Sequence, residues 1–145
     1  MKRLFLPLIV FSLLTTACGG AKATVPNNDY ARQTQAIVEK WIAANQERDA
    51  QALLSLYSND ITETDCSGVE CVTFHLSDLE SEVPYAFRDP TFKVRVNSYV
   101  VTSAGVFAAV QATYEYGSVG PTAPVPATII LEFKDGRILN EMWVY

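Results

Sequence analysis

VPATIILEFKDGRILNEMWVY, residues 125–145, is the stretch on which the reading of the fold turns. Val125 to Phe133 is an apolar, β-branched run, Ile138 to Tyr145 is a second, and Asp135-Gly136 between them signals a hairpin turn. Two geometries fit that turn. A two-residue type I′ loop pairs Lys134 with Arg137, whereas a three-residue loop with Gly136 as a bulge pairs Phe133 with Arg137. The second puts Ile129, Leu131, Leu139, Glu141 and Trp143 on one face.

Upstream, the same period of two continues. Phe92 to Val101 alternates, with Phe92, Val94 and Val96 on one side and Lys93, Arg95, Asn97 and Tyr99 on the other. Ala104-Gly105 separates it from Val106 to Tyr116, where Val106, Ala108, Val110, Ala112, Tyr114 and Tyr116 share a face. Gly117 to Pro124 is a Gly/Pro-rich connection to the closing hairpin. Residues 72–90 predict a short helix through Leu76, Leu79 and Val83 before Pro84, then a loop through Asp89-Pro90.

The N-terminal half is helical in period. Ala31, Thr34, Ile37/Val38, Trp41 and Ala44 form one apolar stripe that ends near Gln46. Asp49 reads as the N-cap of a second, short helix whose inward face is Leu53, Leu54 and Tyr57. Two such helices cannot bury their stripes alone, so the strands must cover them. The expected fold class is α+β, a curved antiparallel sheet wrapped around N-terminal helices. Internal repeats are absent.

A chain of 145 residues allows one domain. Its first residues read as an address. Lys2 and Arg3 precede the apolar run Leu4 to Leu14, at about 11 residues too short for a bilayer span, which needs about 20. Ala17-Cys18-Gly19 resembles a bacterial lipobox, in which Cys18 is lipidated and becomes the mature N-terminus. Thr15 stands where Leu is usual, which leaves ordinary cleavage near Ala17 as the alternative. The expected organisation is a signal peptide over 1–17, a flexible tether over 18–28 and a folded domain over 29–145. The expected location is the bacterial cell envelope, outside the cytoplasm and held to the membrane by lipid.

Without residues 1–17, nine Lys and Arg face 16 Asp and Glu, a net charge of −7. That acidity excludes nucleic acid as a partner and argues against a basic membrane-binding face. Membrane contact would run through the lipid on Cys18. Cys66 and Cys71, in Asp65-Cys66-Ser67-Gly68-Val69-Glu70-Cys71, are spaced for a disulfide across a turn, and an oxidising envelope would keep it. Free thiols are the alternative. Two thiols and a distant His75 fall short of a zinc set, so no metal is expected, and no cofactor motif is present.

Lys40-Trp41-Ile42-Ala43-Ala44, Arg48-Asp49-Ala50-Gln51-Ala52-Leu53-Leu54, Tyr57-Ser58-Asn59-Asp60-Ile61-Thr62 and Glu132-Phe133-Lys134-Asp135-Gly136-Arg137-Ile138 together resemble the nuclear-transport-factor-2-like superfamily. That group includes ketosteroid isomerases, scytalone dehydratase and SnoaL-like cyclases. The resemblance, over roughly 29–145, implies a cone with a pocket at its open end and often a homodimer through the sheet. It also favours the three-residue form of the closing turn.

Asp60-Ile61-Thr62-Glu63-Thr64-Asp65 resembles the isomerase pattern that ends in a general-base Asp, which makes Asp65 the candidate base. An enolate would need an oxyanion site. Trp41 occupies the position resembling the isomerase Tyr, and Ile129-Ile130-Leu131 offers hydrocarbon where a second donor should sit. Scytalone-dehydratase-like chemistry would need His75 in the cavity. The expected pocket residues are Trp41, Tyr57, Tyr114, Glu141 and Trp143. Each aromatic has an ordinary core role as its alternative, and Glu141 that of a solvated strand residue.

Two functions follow as expectations. One is a lipid-anchored, non-catalytic domain binding a small apolar molecule or a protein partner. The other is a SnoaL- or isomerase-like enzyme with Asp65 as base and Glu141 or His75 as its partner.

Overall fold

The computed structural model describes residues 22–24, 28–117 and 123–145. The expected signal segment, Cys18 and most of the Gly117–Pro124 connection lie outside these. Ten elements follow in order. They are β1 (Lys22–Thr24), α1 (Asp29–Glu47), α2 (Ala50–Ser55), β2 (Tyr57–Ser67), β3 (Glu70–His75), α3 (Leu76–Arg88), β4 (Lys93–Val101), β5 (Phe107–Glu115), β6 (Val125–Lys134) and β7 (Arg137–Val144). The strands form one sheet in the order β1-β4-β5-β6-β7-β2-β3. Pairing is antiparallel from β4 through β7 and between β2 and β3, and parallel at β1–β4 and β7–β2. The expected α+β class, a curved sheet over helices, is observed. Three residues of the expected tether add a short strand to the sheet edge.

The helices start where short polar side chains supply the missing acceptor. Asn28 caps α1, its Oδ1 accepting from the Ala31 N–H at 2.7 Å, and Asp49 caps α2 through the Ala52 N–H at 2.9 Å. Arg48 closes α1 in the left-handed region at φ 57°, which turns the chain into α2 within two residues. The stripe of α1 is buried as expected at Ala31, Thr34, Val38, Trp41 and Ala44, with Asn45 beside them.

Several local expectations are corrected. Helix α2 ends at Ser55, so the buried Tyr57 opens β2 instead of facing inward from the helix. Residues 70–75 form a strand, and α3 continues through Pro84 to Arg88. A proline inside a helix costs about 3 kcal/mol. Here Val83 and Phe87, one turn apart and both buried, keep the last turn packed against the core.

Tyr99 is inside, not outside. The β4–β5 register slips between Val96 and Ser98, and this bulge turns Tyr99 and Val101 to the core. The closing turn is the two-residue form: Lys134 pairs with Arg137, and Asp135 and Gly136 have φ of 52° and 73°. A second slip lies farther on, because Phe133 pairs with Ile138 but Glu132 with Asn140. Leu139 is the extra residue and stays half-buried, and Ile138 takes the inward place. Glu141 and Trp143 therefore reach the inner face as expected, through a bulge inside β7.

Candidate functional site

Across the inner face of the sheet, hydrogen-bonded register builds two rows. Val101, Ala108, Leu131, Glu141 and Glu63 make one, and Tyr99, Val110, Ile129, Trp143 and Asp65 make the other. The rows begin at Val101 and Tyr99 on β4, and each ends in a carboxyl on β2. The acidic ends lie together because β7 and β2 are parallel neighbours, which sets Glu63 beside Glu141 and Asp65 beside Trp143.

Glu141 is 2% exposed and is the only charged residue buried among those described. Three donors surround it. Trp41 Nε1–H donates to Oε2 at 3.0 Å, the Tyr57 hydroxyl donates to the same oxygen at 2.9 Å, and Trp143 Nε1–H donates to Oε1 at 2.6 Å. This expected pocket residue, whose alternative was a solvated place on the strand, thus accepts three hydrogen bonds in the core. Burial raises its pKa to about 7, although the bonds from Trp143, Tyr57 and Trp41 oppose the rise.

Beside it lies a cavity of about 140 Å³. Its polar wall is Glu63, Asp65 and Glu141, with Asn45 and Tyr57 near them, and Glu82 stands at the exposed rim. Its apolar wall combines α3, through Leu79, Val83 and Phe87, with Phe92, Tyr114, Tyr116 and Trp143. The rings are in sequence: Trp41 to Trp143 at 5.9 Å between centroids, Trp143 to Tyr114 at 5.5 Å, and Tyr114 to Phe92 at 6.0 Å. No Lys, Arg or His lines the cavity among the described residues.

Asp65 is half-buried, and its Oδ1 is a buried acceptor with no hydrogen-bond donor. The nearby Tyr145 hydroxyl favours the charged form of this carboxyl, yet burial outweighs it and raises the pKa. Glu63 is pushed well above the usual carboxylate range by burial first and by the charges of Glu141 and Asp65 second. Burial and the Asp65 carboxylate push Tyr145 up to about 12.

Of the expected pocket residues, Tyr57, Tyr114, Glu141 and Trp143 line the cavity together with Asp65, and Trp41 stands behind Glu141 as its donor. His75 is not among them: it is exposed, and its backbone N–H bonds Asp78 Oδ2 at 2.9 Å where α3 begins. The expected Cys66–Cys71 disulfide is formed and ties β2 to β3 one residue beyond Asp65. Sequence reasoning missed Glu63. Its signal was the period of two in Ile61, Glu63 and Asp65, which puts all three on one face once the segment is read as a strand.

No family model and no curated protein matches the chain. Solved structures do. A nuclear-transport-factor-2-like protein of unknown function from Mesorhizobium loti superposes with a TM-score of 0.70 at 18% identity, over 85% of this chain and 97% of that one. A cystatin-fold protein from Novosphingobium aromaticivorans gives 0.64 at 13% identity, over 77% and 97%. A Catenulispora acidiphila protein with a ketosteroid isomerase-like fold, solved in complex with trimethylamine, gives 0.58 at 22% identity, over 75% and 84%. At these identities the likeness is one of fold: the chain has the cystatin-like α+β fold that its nuclear-transport-factor-2-like neighbours share.

Proposed function

We propose that this is an exported, lipid-anchored domain that binds a small molecule in its cone without transforming it. One observation carries the non-catalytic part. Trp41, at the position where the family resemblance seeks an oxyanion donor, has its N–H committed to Glu141. The neighbouring strand offers Ile129 and Leu131, both fully buried hydrocarbon. The donor at that position is thus taken up in holding Glu141, and stabilising the developing enolate oxygen is the larger part of such catalysis. What lines the cavity is largely aromatic surface and carboxyl oxygen, with the Asn45 amide and tyrosine hydroxyls among them, a mixture that suits recognition. The trimethylamine complex of the Catenulispora fold relative accords with a small occupant.

The anchored part rests on Lys2-Arg3, the apolar run to Leu14 and Ala17-Cys18-Gly19, with the Cys66–Cys71 bridge in keeping with an oxidising compartment. A homodimer would use the outer face of the sheet, where Val100, Phe107, Ile130, Met142 and Val144 are exposed.

A second reading keeps Asp65 as a general base, favoured by its orphaned buried oxygen and raised pKa. Ligand-observed NMR on the full-length chain separates the two. Small amines, alcohols, acids, carbonyl compounds and lactones are offered as a panel. Saturable binding of panel members, lost in Val83→Phe because the new ring fills the cavity, is the expected result. Chemical conversion of any of them, abolished by Asp65→Asn, would establish the enzyme instead. Cys18→Ser should release the chain from the membrane fraction.

A further inference from the structure

We infer that the occupant of this cavity is a small organic ammonium ion carrying at least one N–H, held by Asp65 and the surrounding rings. The inference rests on the binding reading above and gives it a ligand class.

Charge comes first. Three carboxyls, Glu63, Asp65 and Glu141, converge on one cavity, and no cationic side chain lines it among the described residues. The ion pairs formed by described residues, Arg32 with Asp29 and Lys93 with Glu115, lie elsewhere. Buried carboxyls without a countercharge are costly, and a cation brought by the ligand relieves that cost where a neutral guest cannot. An anion would be repelled.

Hydrogen bonding comes second, independently of charge. Asp65 Oδ1 is a buried acceptor that no donor of the protein satisfies, and such an atom calls for a donor from outside. An ammonium N–H supplies one, and the bond is charge-assisted. A quaternary ammonium has no N–H to give. Glu141, by contrast, already accepts three bonds and needs nothing from the guest.

Shape comes third. Phe92, Tyr114 and Trp143 present a run of ring contacts along the apolar wall. Aromatic faces attract a cation, most strongly when water is excluded. A cavity of about 150 Å³ accommodates one benzene, so a volume of about 140 Å³ admits roughly six non-hydrogen atoms. A steroid or polyketide would fill it and extend past its open mouth.

Calorimetry on the full-length chain at pH 7 tests this with four probes of nearly equal size: isobutylammonium, tetramethylammonium, isobutanol and isobutyrate. Isobutylammonium should bind saturably and at least about tenfold more tightly than the other three, the scale of one charge-assisted hydrogen bond. Asp65→Asn should weaken isobutylammonium at least about tenfold and isobutanol, a neutral donor, much less. Glu63→Gln should weaken it severalfold, which keeps the test alive if Asp65→Asn fails to fold. Isobutanol or isobutyrate binding as tightly as isobutylammonium would overturn the ammonium inference and leave the binding reading standing. Tetramethylammonium binding equally well would remove the role given to Asp65 Oδ1. Silence from all four would overturn both the inference and the binding reading.

Discussion

At the scale of the residue, Glu141 shows how a carboxyl survives in a core. Its burial disfavours the charged form, and three ring donors partly restore it, so the group titrates at about 7 instead of near the usual carboxylate range. Each donor therefore has a measurable share. Tyr57→Phe removes one bond to Oε2 and leaves the burial unchanged. The Glu141 midpoint should then rise by roughly 0.5–1 unit, with a stability loss of about 1–2 kcal/mol near pH 7. Carbon-13 NMR of the carboxyl reads the first and urea unfolding the second. An unmoved midpoint would mean that the hydroxyl does not support the charge.

At the scale of the element, the β4–β5 turn is fixed by its contact with the start of α1. Gly105 has φ +70°, and a Cβ there would stand 2.7 Å from Tyr30 Cδ1 and 3.0 Å from the Ala31 backbone. Its carbonyl accepts from the Thr34 hydroxyl at 2.6 Å, and Asn28 Nδ2 donates to the Ser103 carbonyl at 2.5 Å. Gly105→Ala should therefore cost about 2–4 kcal/mol, combining left-handed strain with a clash against backbone. An alanine accepted at no cost, by thermal unfolding, would show that this junction is loose. The same elements mark what the sequence could and could not say. Period and caps are local, so α1, the Asp49 cap and the closing hairpin were legible. Bulges are not local: the slip after Val96 reversed Tyr99, and the slip at Leu139 was assigned to the turn instead of the strand. Glu63 escaped notice because Ile61-Thr62-Glu63-Thr64-Asp65 has too little hydrocarbon to announce a strand, and only its pairing with β7 makes it one. Pro84 misled for the opposite reason, since a local helix breaker was overruled by packing at Val83 and Phe87.

At the scale of the whole molecule, the topology concentrates a cost in one place. The chain returns β7 to lie parallel to β2, and that pairing sets Glu63, Asp65 and Glu141 around one cavity at the end of an otherwise hydrocarbon core. All three carboxyls have pKa values raised by burial. A carboxyl whose pKa is higher folded than unfolded holds more protons in the native state between the two values. Its contribution is complete below the unfolded pKa and is lost as pH rises through the folded one. For Glu141 that window runs from the ordinary 4.5 to about 7, so stability should fall by about 1–3 kcal/mol from pH 5 to pH 8. Glu39, lowered by its bonds to Gln35 and Tyr99, acts in the other direction, but it is largely exposed and its effect is screened. Glu141→Gln should flatten the slope, because the amide does not titrate and Glu63 then ionises beside one charged neighbour, Asp65, instead of two. Urea midpoints across that pH range measure both curves. Wild-type stability that rises from pH 5 to pH 8 would mean that the cluster ionises without penalty. In that case the cavity would have no need of a cation from outside.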